Sequence, residues 1–84
     1  MKPLDAQRFE RAVISLALYR AMAAVLNQIR DEGLKVSQFT CREINDRRHA
    51  YFERNMKELI TRAIADAWQM PMFARHKPQP QPQG

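Results

Sequence analysis

Apolar side chains recur at helical spacing through the second half of the chain, from residue 41 to residue 69. When these residues are placed at 100° steps, one face of the resulting helix is apolar. That face contains Phe52, Met56, Leu59, Ile60, Ala63 and Ala67, and Cys41, Asn45 and His49 extend it toward the N-terminus. The pattern predicts an amphipathic helix that packs one face against the rest of the protein.

The opposite face of this second helix is charged, and its charges are spaced to pair along the helix. An acidic residue precedes a basic one by four positions in Glu43–Arg47, Glu53–Lys57 and Glu58–Arg62. Each such pair stabilises a helix by only about 0.2–0.5 kcal/mol. The pairs therefore indicate a solvated face more than a source of stability.

The first half of the chain carries two apolar stripes on nearly opposite sides of one helix. The first stripe contains Ile14, Leu18, Met22, Val25 and Ile29, and the second contains Phe9, Val13, Leu16, Ala17 and Ala24. A helix that is apolar on two sides needs two neighbours. The second helix supplies one neighbour, and we expect a second copy of the chain to supply the other.

A helix-start signature marks the beginning of the second helix. Thr40 fits the N-cap, and Glu43 three residues later completes a capping box. Phe39 and Ile44 occupy the two positions of a hydrophobic staple around this cap. The second helix should therefore begin at residue 41.

The remaining boundaries follow from single residues. Asp5 is the expected N-cap of the first helix. Gly33 suits the left-handed residue that follows a helix end. Pro71 should end the second helix, because the residue before a proline avoids the helical region. These signals predict helices over about 5–32 and 41–69.

Two long helices of matched length, joined by a short loop, predict an all-α antiparallel hairpin over residues 1–74. Residues 75–84 have low complexity, since Pro78, Pro80 and Pro82 alternate with glutamines. Such a segment lacks the apolar content needed to pack, and we expect a disordered Pro/Gln-rich tail.

The size of the chain favours self-association. A domain of 84 residues has a small core, and such domains are usually reinforced by disulfides, a metal or oligomerisation. Cys41 is the only cysteine, and neither His49 nor His76 lies beside it in a metal-binding pattern. We therefore expect the hairpin to dimerise into a four-helix bundle.

The cellular location is predicted from the same features. A lone thiol suits a reducing compartment. The apolar stretch Ala12–Leu26 contains Arg20 and has 15 residues, whereas a membrane-spanning helix needs about 20. We expect a cytoplasmic protein that contacts no membrane.

Positive charge makes nucleic acid, and DNA in particular, the main alternative partner. The net charge is +5, but the two predicted helices together carry only +1, because their bases are nearly matched by acids. The rest comes from the ends and the loop, which weakens the signal. A basic strip on the exposed side of the second helix contains Arg47, Arg48, Tyr51, Arg54 and Arg62.

A helix-turn-helix motif would require a break at Asn45–Asp46, with a recognition helix starting at Arg47. The motif usually contains a turn of three or four residues, often with glycine. No glycine lies between Gly33 and the terminal Gly84. A helix with a strong start at Thr40 has little reason to break six residues later, so we expect it to continue.

Catalytic chemistry has little support in the sequence. Cys41 lies in the first turn of a helix, where a thiol pKa can be lowered, but its position on the apolar stripe predicts a buried structural cysteine. His49 shares that stripe and is expected to be an interior or interface histidine. We expect no catalytic residue, no cofactor, no metal, no small-molecule substrate and no enzyme activity.

The segment Trp68–Phe73 places large apolar side chains just after the second helix. It could cap the end of the bundle beside Leu4 and Phe9, or beside the loop, or it could form an interface, where aromatic residues and methionine are enriched. We expect a regulatory or adaptor protein that acts by protein–protein binding. The expected contacts are Trp68, Met70, Met72 and Phe73 as anchors, with Arg47, Tyr51 and Arg54 as polar contacts.

Overall fold

The computed structural model describes residues 3–77, and every regular element in that range is helical. The elements are α1 (Pro3–Asp31), a 3₁₀ turn (Val36–Gln38), α2 (Cys41–Ala67) and the short α3 (Pro71–Ala74). α1 and α2 are long helices that pack against each other. The predicted all-α helical hairpin is therefore confirmed.

The start of α2 has the predicted geometry. The backbone N–H of Glu43 donates to Thr40 Oγ1 at 3.1 Å, and the backbone N–H of Thr40 donates to Glu43 Oε1 at 2.9 Å. These two bonds form the reciprocal capping box. The hydrogen bonds from Thr40 lower the pKa of the Glu43 carboxyl below its ordinary value of 4.5, because they favour the charged form.

The end of α1 also matches the prediction. Gly33 adopts a φ of 77°, which only glycine adopts without strain. The backbone N–H of Leu34 donates to the Ile29 carbonyl, and that of Gly33 donates to Arg30, which completes a Schellman motif. The predicted N-cap is wrong, because α1 begins at Pro3 and Asp5 lies within its first turn.

Pro71 has a second role beyond ending α2. α2 ends at Ala67, slightly earlier than predicted, and Pro71 occupies the first turn of α3. Proline is favoured there because its missing N–H has no helical partner to lose. This turn brings Phe73 back onto the hairpin, where it is 2% exposed.

The described chain ends shortly after α3. The backbone N–H groups of His76 and Lys77 still donate to the Phe73 and Ala74 carbonyls. Residues 78–84 lie outside the described residues, so most of the predicted tail, including its three prolines, remains a prediction.

The two long helices meet along a seam of small side chains. On α1 the buried residues recur every four positions, and on α2 they do the same over the second half of the helix. The buried side chains of the seam are Val13, Ala17, Ala21, Val25, Ile29, Leu59, Ala63 and Ala67. The alanines let the two backbones approach closely, but they contribute little apolar surface to the core.

The predicted stripes differ from the seam at several positions. Ile14 and Met56 are both 52% exposed, although each was placed on a packed stripe. Cys41 and His49 are exposed as well, so their predicted burial is wrong. Residues spaced four apart are rotated by about 40° from one to the next around the helix axis. The seam therefore moves around each helix, and a stripe chosen along one fixed direction departs from it after a few turns.

α2 runs without interruption through Asp46, and the predicted continuity at that position is confirmed. The helix is distorted instead at Asn55, where φ is −117° and ψ is 18°. The Asn55 side-chain amide donates to the Tyr51 carbonyl at 3.0 Å, a bond that competes with the backbone ladder. The helix-turn-helix interpretation is excluded at residues 45–46.

α1 is long and apolar enough over Asp5–Asp31 to cross a membrane, with a mean hydropathy of 1.5 in its most apolar window. Only 28% of that window is buried in the hairpin. Core helices of soluble proteins and N-terminal signal sequences meet the same criterion. The predicted cytoplasmic location therefore remains a prediction.

Candidate interaction surfaces

The two broad sides of the hairpin differ in chemistry. We call one of them the apolar side; it carries a groove of about 260 Å³ where α1 and α2 meet. The groove is lined by Phe9, Glu10, Val13, Ile14, Ile60 and Ile64. Glu10 is the only charged residue among them, so this groove offers an apolar surface to solvent.

The apolar side extends beyond this groove along both helices. Leu18, Met22 and Leu26 follow Ile14 at intervals of four residues and therefore lie in one row on α1. All three are half-buried. On α2, Met56, Ile60 and Ile64 form the corresponding row, and Ile64 is 38% exposed. We use the term apolar side for these seven residues.

The opposite side of the hairpin is polar. Its groove has a volume of about 280 Å³. The groove is lined by Arg20 and Asn27 from α1 and by Tyr51, Glu58 and Arg62 from α2, among others. Both basic residues of this groove are paired with acids, one across the helices and one along α2. Arg20 forms an ion pair with Asp66 between the helices, and Arg62 Nη2 lies 3.4 Å from Glu58 Oε1.

Arg47 connects the loop end of the hairpin to the polar side. Its Nη1 donates to Glu32 Oε2 at 3.3 Å, which ties the start of α2 to the end of α1. Its guanidinium carbon also lies 4.8 Å from the centre of the Phe39 ring, within the range of a cation–π contact. The side chain is therefore already engaged within the chain.

The predicted nucleic-acid strip is only partly assembled. Arg47, Tyr51 and Arg54 line one groove of about 220 Å³ on the polar side. Arg62 lies further along the same side of α2, whereas Arg48 is half-buried and lines none of these grooves. Three of the five residues thus form one site, and the acids Glu32 and Glu58 partly neutralise that side.

The predicted anchor segment contributes to the hairpin itself. The Phe9 ring lies 4.2 Å from the Trp68 ring between centroids, and 5.2 Å from the Phe73 ring in an edge-to-face arrangement. The segment thus caps the open end of the hairpin beside Phe9, one of the arrangements considered above. Met70 and Met72 stay exposed, at 36% and 53%.

The anchors and the predicted polar contacts do not form a single site. Tyr51 and Trp68 belong to the same helical stretch and are separated by 17 residues of sequence, which corresponds to about 25 Å along a helix. Arg47 lies still further toward the loop. A partner that contacts both groups would have to span most of the length of α2.

The predicted chemistry of Cys41 and His49 requires correction. Cys41 is an exposed free thiol, and His49 Nε2 lies 3.7 Å from Glu53 Oε1 with both side chains exposed. Among the predicted ion pairs along α2, Glu58–Arg62 is confirmed, whereas Arg47 pairs with Glu32 on α1. Within residues 3–77, no group of three acidic, histidine or cysteine side chains is arranged to hold a metal ion.

The sequence pattern places five of the seven residues of the apolar side, all except Leu26 and Ile64, on the predicted packed stripes. The useful signal was that apolar residues cover two sides of α1, because α2 can cover only one side at any level of the helix. Which residues belong to the outer stripe became clear only from the path of the seam.

Comparison with known proteins adds no relative: the chain matches no family model, and no curated protein or solved structure is significantly similar to it.

Proposed function

We propose that the protein is a non-enzymatic binding protein, a small regulator or adaptor, that self-associates through its apolar side into a four-helix bundle. The observation that supports this proposal is the exposed row of large apolar side chains beside a seam of small ones. Self-association would cover Ile14, Met56 and Ile64, whose side chains are now exposed to solvent.

The core of the single hairpin contains few large side chains. Of the nine buried hydrophobic residues, four are alanines. Fully burying a large aliphatic or methionine side chain contributes about 1.5–3 kcal/mol. The apolar side carries seven such side chains, of which three are exposed and four are half-buried, so covering it would complete burial that the single hairpin leaves unfinished.

The broad face that contains the apolar side has the area needed for a second copy. Two helices side by side present a face about 20 Å wide and about 40 Å long, and the seven residues of the apolar side lie along its central part. A partner that covered the whole face would bury about 800 Å² of each chain, the share of one partner in a standard protein–protein interface. A second hairpin has the same dimensions and the same apolar surface, so it matches this face in area and in apolar character.

The oligomeric state tests this proposal directly. Light scattering at micromolar concentrations should give the mass of two chains for the wild type and of one chain for Ile64→Glu. Tyr19→Glu is the matched control, because Tyr19 is 75% exposed on α1 and lies outside the apolar side. This control should remain dimeric.

A monomeric wild type would overturn the proposal. So would a wild type that binds neutral phosphatidylcholine vesicles in preference to itself, because the apolar side would then face lipid. The latter result would also contradict the predicted absence of a membrane contact.

A protein partner would contact the exposed part of the anchor segment. Met70 and Met72 fit this role because methionine adapts to apolar partner surfaces, and both stay exposed while Phe73 is buried. Replacing both by alanine should weaken a complex with such a partner and leave the folded state intact. An unchanged complex would remove this part of the proposal.

Nucleic-acid binding is the second candidate, because Arg47, Tyr51 and Arg54 line one groove. Binding of this kind would weaken steeply with salt. Arg54→Ala should then reduce the slope of log affinity against log salt by about one. Arg8→Ala, on exposed α1 surface, is the control. No gel shift of DNA or RNA at low salt would remove this candidate.

A further inference from the structure

The exposed methionines of the anchor segment lie beside two basic residues. Arg75 and Lys77 follow α3 directly, and both side chains are exposed. The backbone of Arg75 is helical, with φ of −69° and ψ of −17°. Side chains three residues apart are neighbours on one face of a helical turn. Arg75 therefore lies next to Met72 on the surface of the open end.

These two bases have no acidic counterpart in the same part of the molecule. Asp66 is the last acidic residue of the chain, and it is paired with Arg20. Neither Arg75 nor Lys77 forms an ion pair within residues 3–77. The first turns of α1, which pack against this segment, carry as many acids as bases, namely Asp5, Arg8, Glu10 and Arg11. The open end therefore has an excess of positive charge beside the exposed methionines.

The position of these bases changes which polar contacts accompany the anchors. Arg47 and Arg54 lie toward the loop, and Arg47 is already paired with Glu32. Arg75 lies on the same turn as Met72 and is unpaired within residues 3–77. A partner that reaches the methionines would meet the bases of this turn before any base of α2.

We propose that the surface formed by Met70, Met72, Arg75 and Lys77, the basic anchor surface, binds an acidic segment of a partner protein that also carries large apolar side chains. This inference rests on the protein contact at the two methionines proposed above, and it adds the chemistry of the partner. The apolar side chains of the segment would contact the methionines, which adapt to partner surfaces. Its carboxylates would face the two bases, because complementary charge steers association and fixes register.

Lipid and nucleic acid, the other anionic partners, fit this surface less well. Binding to a membrane interface uses exposed Trp, Phe or Leu side chains, and single-stranded nucleic acid stacks its bases on aromatic rings. Phe73 is buried, and Trp68 is half-buried with its ring against Phe9. Among residues 68–77, the exposed large hydrophobic side chains are Met70 and Met72.

The chain itself offers no matching acidic surface. Residues 78–84 contain no acidic residue, so they supply no side-chain carboxylate to the two bases. The loop end of a second copy exposes Leu34 and Val36, but its acids and bases are equal in number. They are Arg30, Asp31, Glu32, Lys35, Arg42, Glu43, Asp46 and Arg47. The charge pattern therefore favours a different protein as the occupant.

Two designed peptides test the chemistry of the partner. Both carry leucine at helical spacing, and the remaining positions are glutamate in one peptide and lysine in the other. Each peptide is labelled and titrated with the full chain at physiological salt, and fluorescence anisotropy gives the affinity. The glutamate peptide should bind at least about tenfold more tightly than the lysine peptide, because like charges would oppose the latter.

Charge reversal locates the binding surface. Arg75→Glu combined with Lys77→Glu should weaken binding of the glutamate peptide about tenfold or more, because two attractive contacts become repulsive. Lys35→Glu combined with Arg42→Glu is the matched control, since it changes the net charge equally at two exposed positions of the loop end. The two ends are about 40 Å apart along α2, several Debye lengths at physiological salt. The control should bind within about twofold of the wild type, and circular dichroism would check that both variants stay folded.

The outcomes separate this inference from the proposal on which it rests. If replacing both methionines by alanine leaves peptide binding unchanged, the methionine contact and this inference fail together. If that change weakens binding but charge reversal has no more effect than its control, only the acidic partner is overturned. No binding of the glutamate peptide, or equal affinity for both peptides, would also overturn it. So would tighter binding of the wild type to phosphatidylglycerol vesicles or single-stranded DNA than to the glutamate peptide.

Discussion

The apolar and polar sides of this hairpin lie on the same two helices, yet they satisfy their side chains in opposite ways. On the polar side, bases meet acids within the chain, as in the Arg20–Asp66 and Arg47–Glu32 pairs. On the apolar side, Ile14, Met56 and Ile64 remain exposed. The comparison teaches that the polar side is already satisfied within one chain, whereas the apolar side gains free energy only from a further surface.

Both sides of the hairpin border the seam between α1 and α2. Contacts of Phe9 with Trp68 and Phe73 close this seam at the open end of the hairpin. Phe73→Ala should lower the free energy of unfolding by about 3–5 kcal/mol, because Phe73 is buried against Phe9. Met72→Ala, one residue away and exposed, should change it by less than about 0.5 kcal/mol. Urea denaturation would measure both. Equal effects would mean that α3 does not pack as described.

The second prediction concerns the apolar side and uses concentration as the variable. A protein stabilised by dimerisation gains about 1.4 kcal/mol for each tenfold rise in its concentration. The melting temperature of the wild type should therefore rise with concentration, and that of Met56→Lys should not. Arg54→Ala on the polar side should behave as the wild type. A melting temperature independent of concentration in all three proteins would contradict the comparison.

The sequence predicted those features that depend on local residues. The capping box at Thr40 and the left-handed Gly33 are both determined by a few neighbouring residues, and both are confirmed. The burial of Cys41 and His49 was predicted from one fixed helical direction and is wrong, because the seam turns along the helix. The distortion at Asn55 involves neither glycine nor proline, and only the side-chain bond to Tyr51 explains it.

The candidate surfaces were harder to predict than the fold. Two apolar stripes on α1 were visible, but the buried seam takes residues from both of them, such as Val13 from one and Ile29 from the other. The same difficulty affected Trp68 and Phe73, since an aromatic cap and an aromatic interface have the same composition. Their contacts with Phe9 depend on α3 turning back at Pro71. Tertiary packing decides between such alternatives, and local propensity carries no information about tertiary packing.

The third prediction concerns the small contribution of the polar side to the free energy of unfolding. The Arg20 and Asp66 side chains are about one-third exposed or more, so water screens their attraction. A double-mutant cycle with Arg20→Ala and Asp66→Ala should give a coupling free energy of about 0.2–1 kcal/mol. Dimerisation should be unaffected in all three variants. A coupling of several kcal/mol would mean that the polar side, too, contributes substantially to holding the hairpin together.

The smallest expected effect is the pH dependence of the α2 cap, which belongs to neither side. Because hydrogen bonds from Thr40 lower the pKa of Glu43 in the folded state, its carboxylate stabilises the fold at neutral pH. This contribution is fully present above the unfolded pKa, near 4.5, and is lost as the pH falls through the lower folded pKa. Glu43→Gln keeps a side-chain oxygen for the Thr40 N–H but cannot titrate.

The difference in stability between the wild type and Glu43→Gln should therefore change between neutral pH and about pH 3, to the disadvantage of the wild type in acid. Denaturant titrations at the two pH values would measure it, and subtracting one protein from the other cancels the titrations that they share. Dimerisation should not alter the difference, because Glu43 lies outside the apolar side. A constant difference across this range would show that the carboxylate is bound no more strongly in the folded cap than in the unfolded chain.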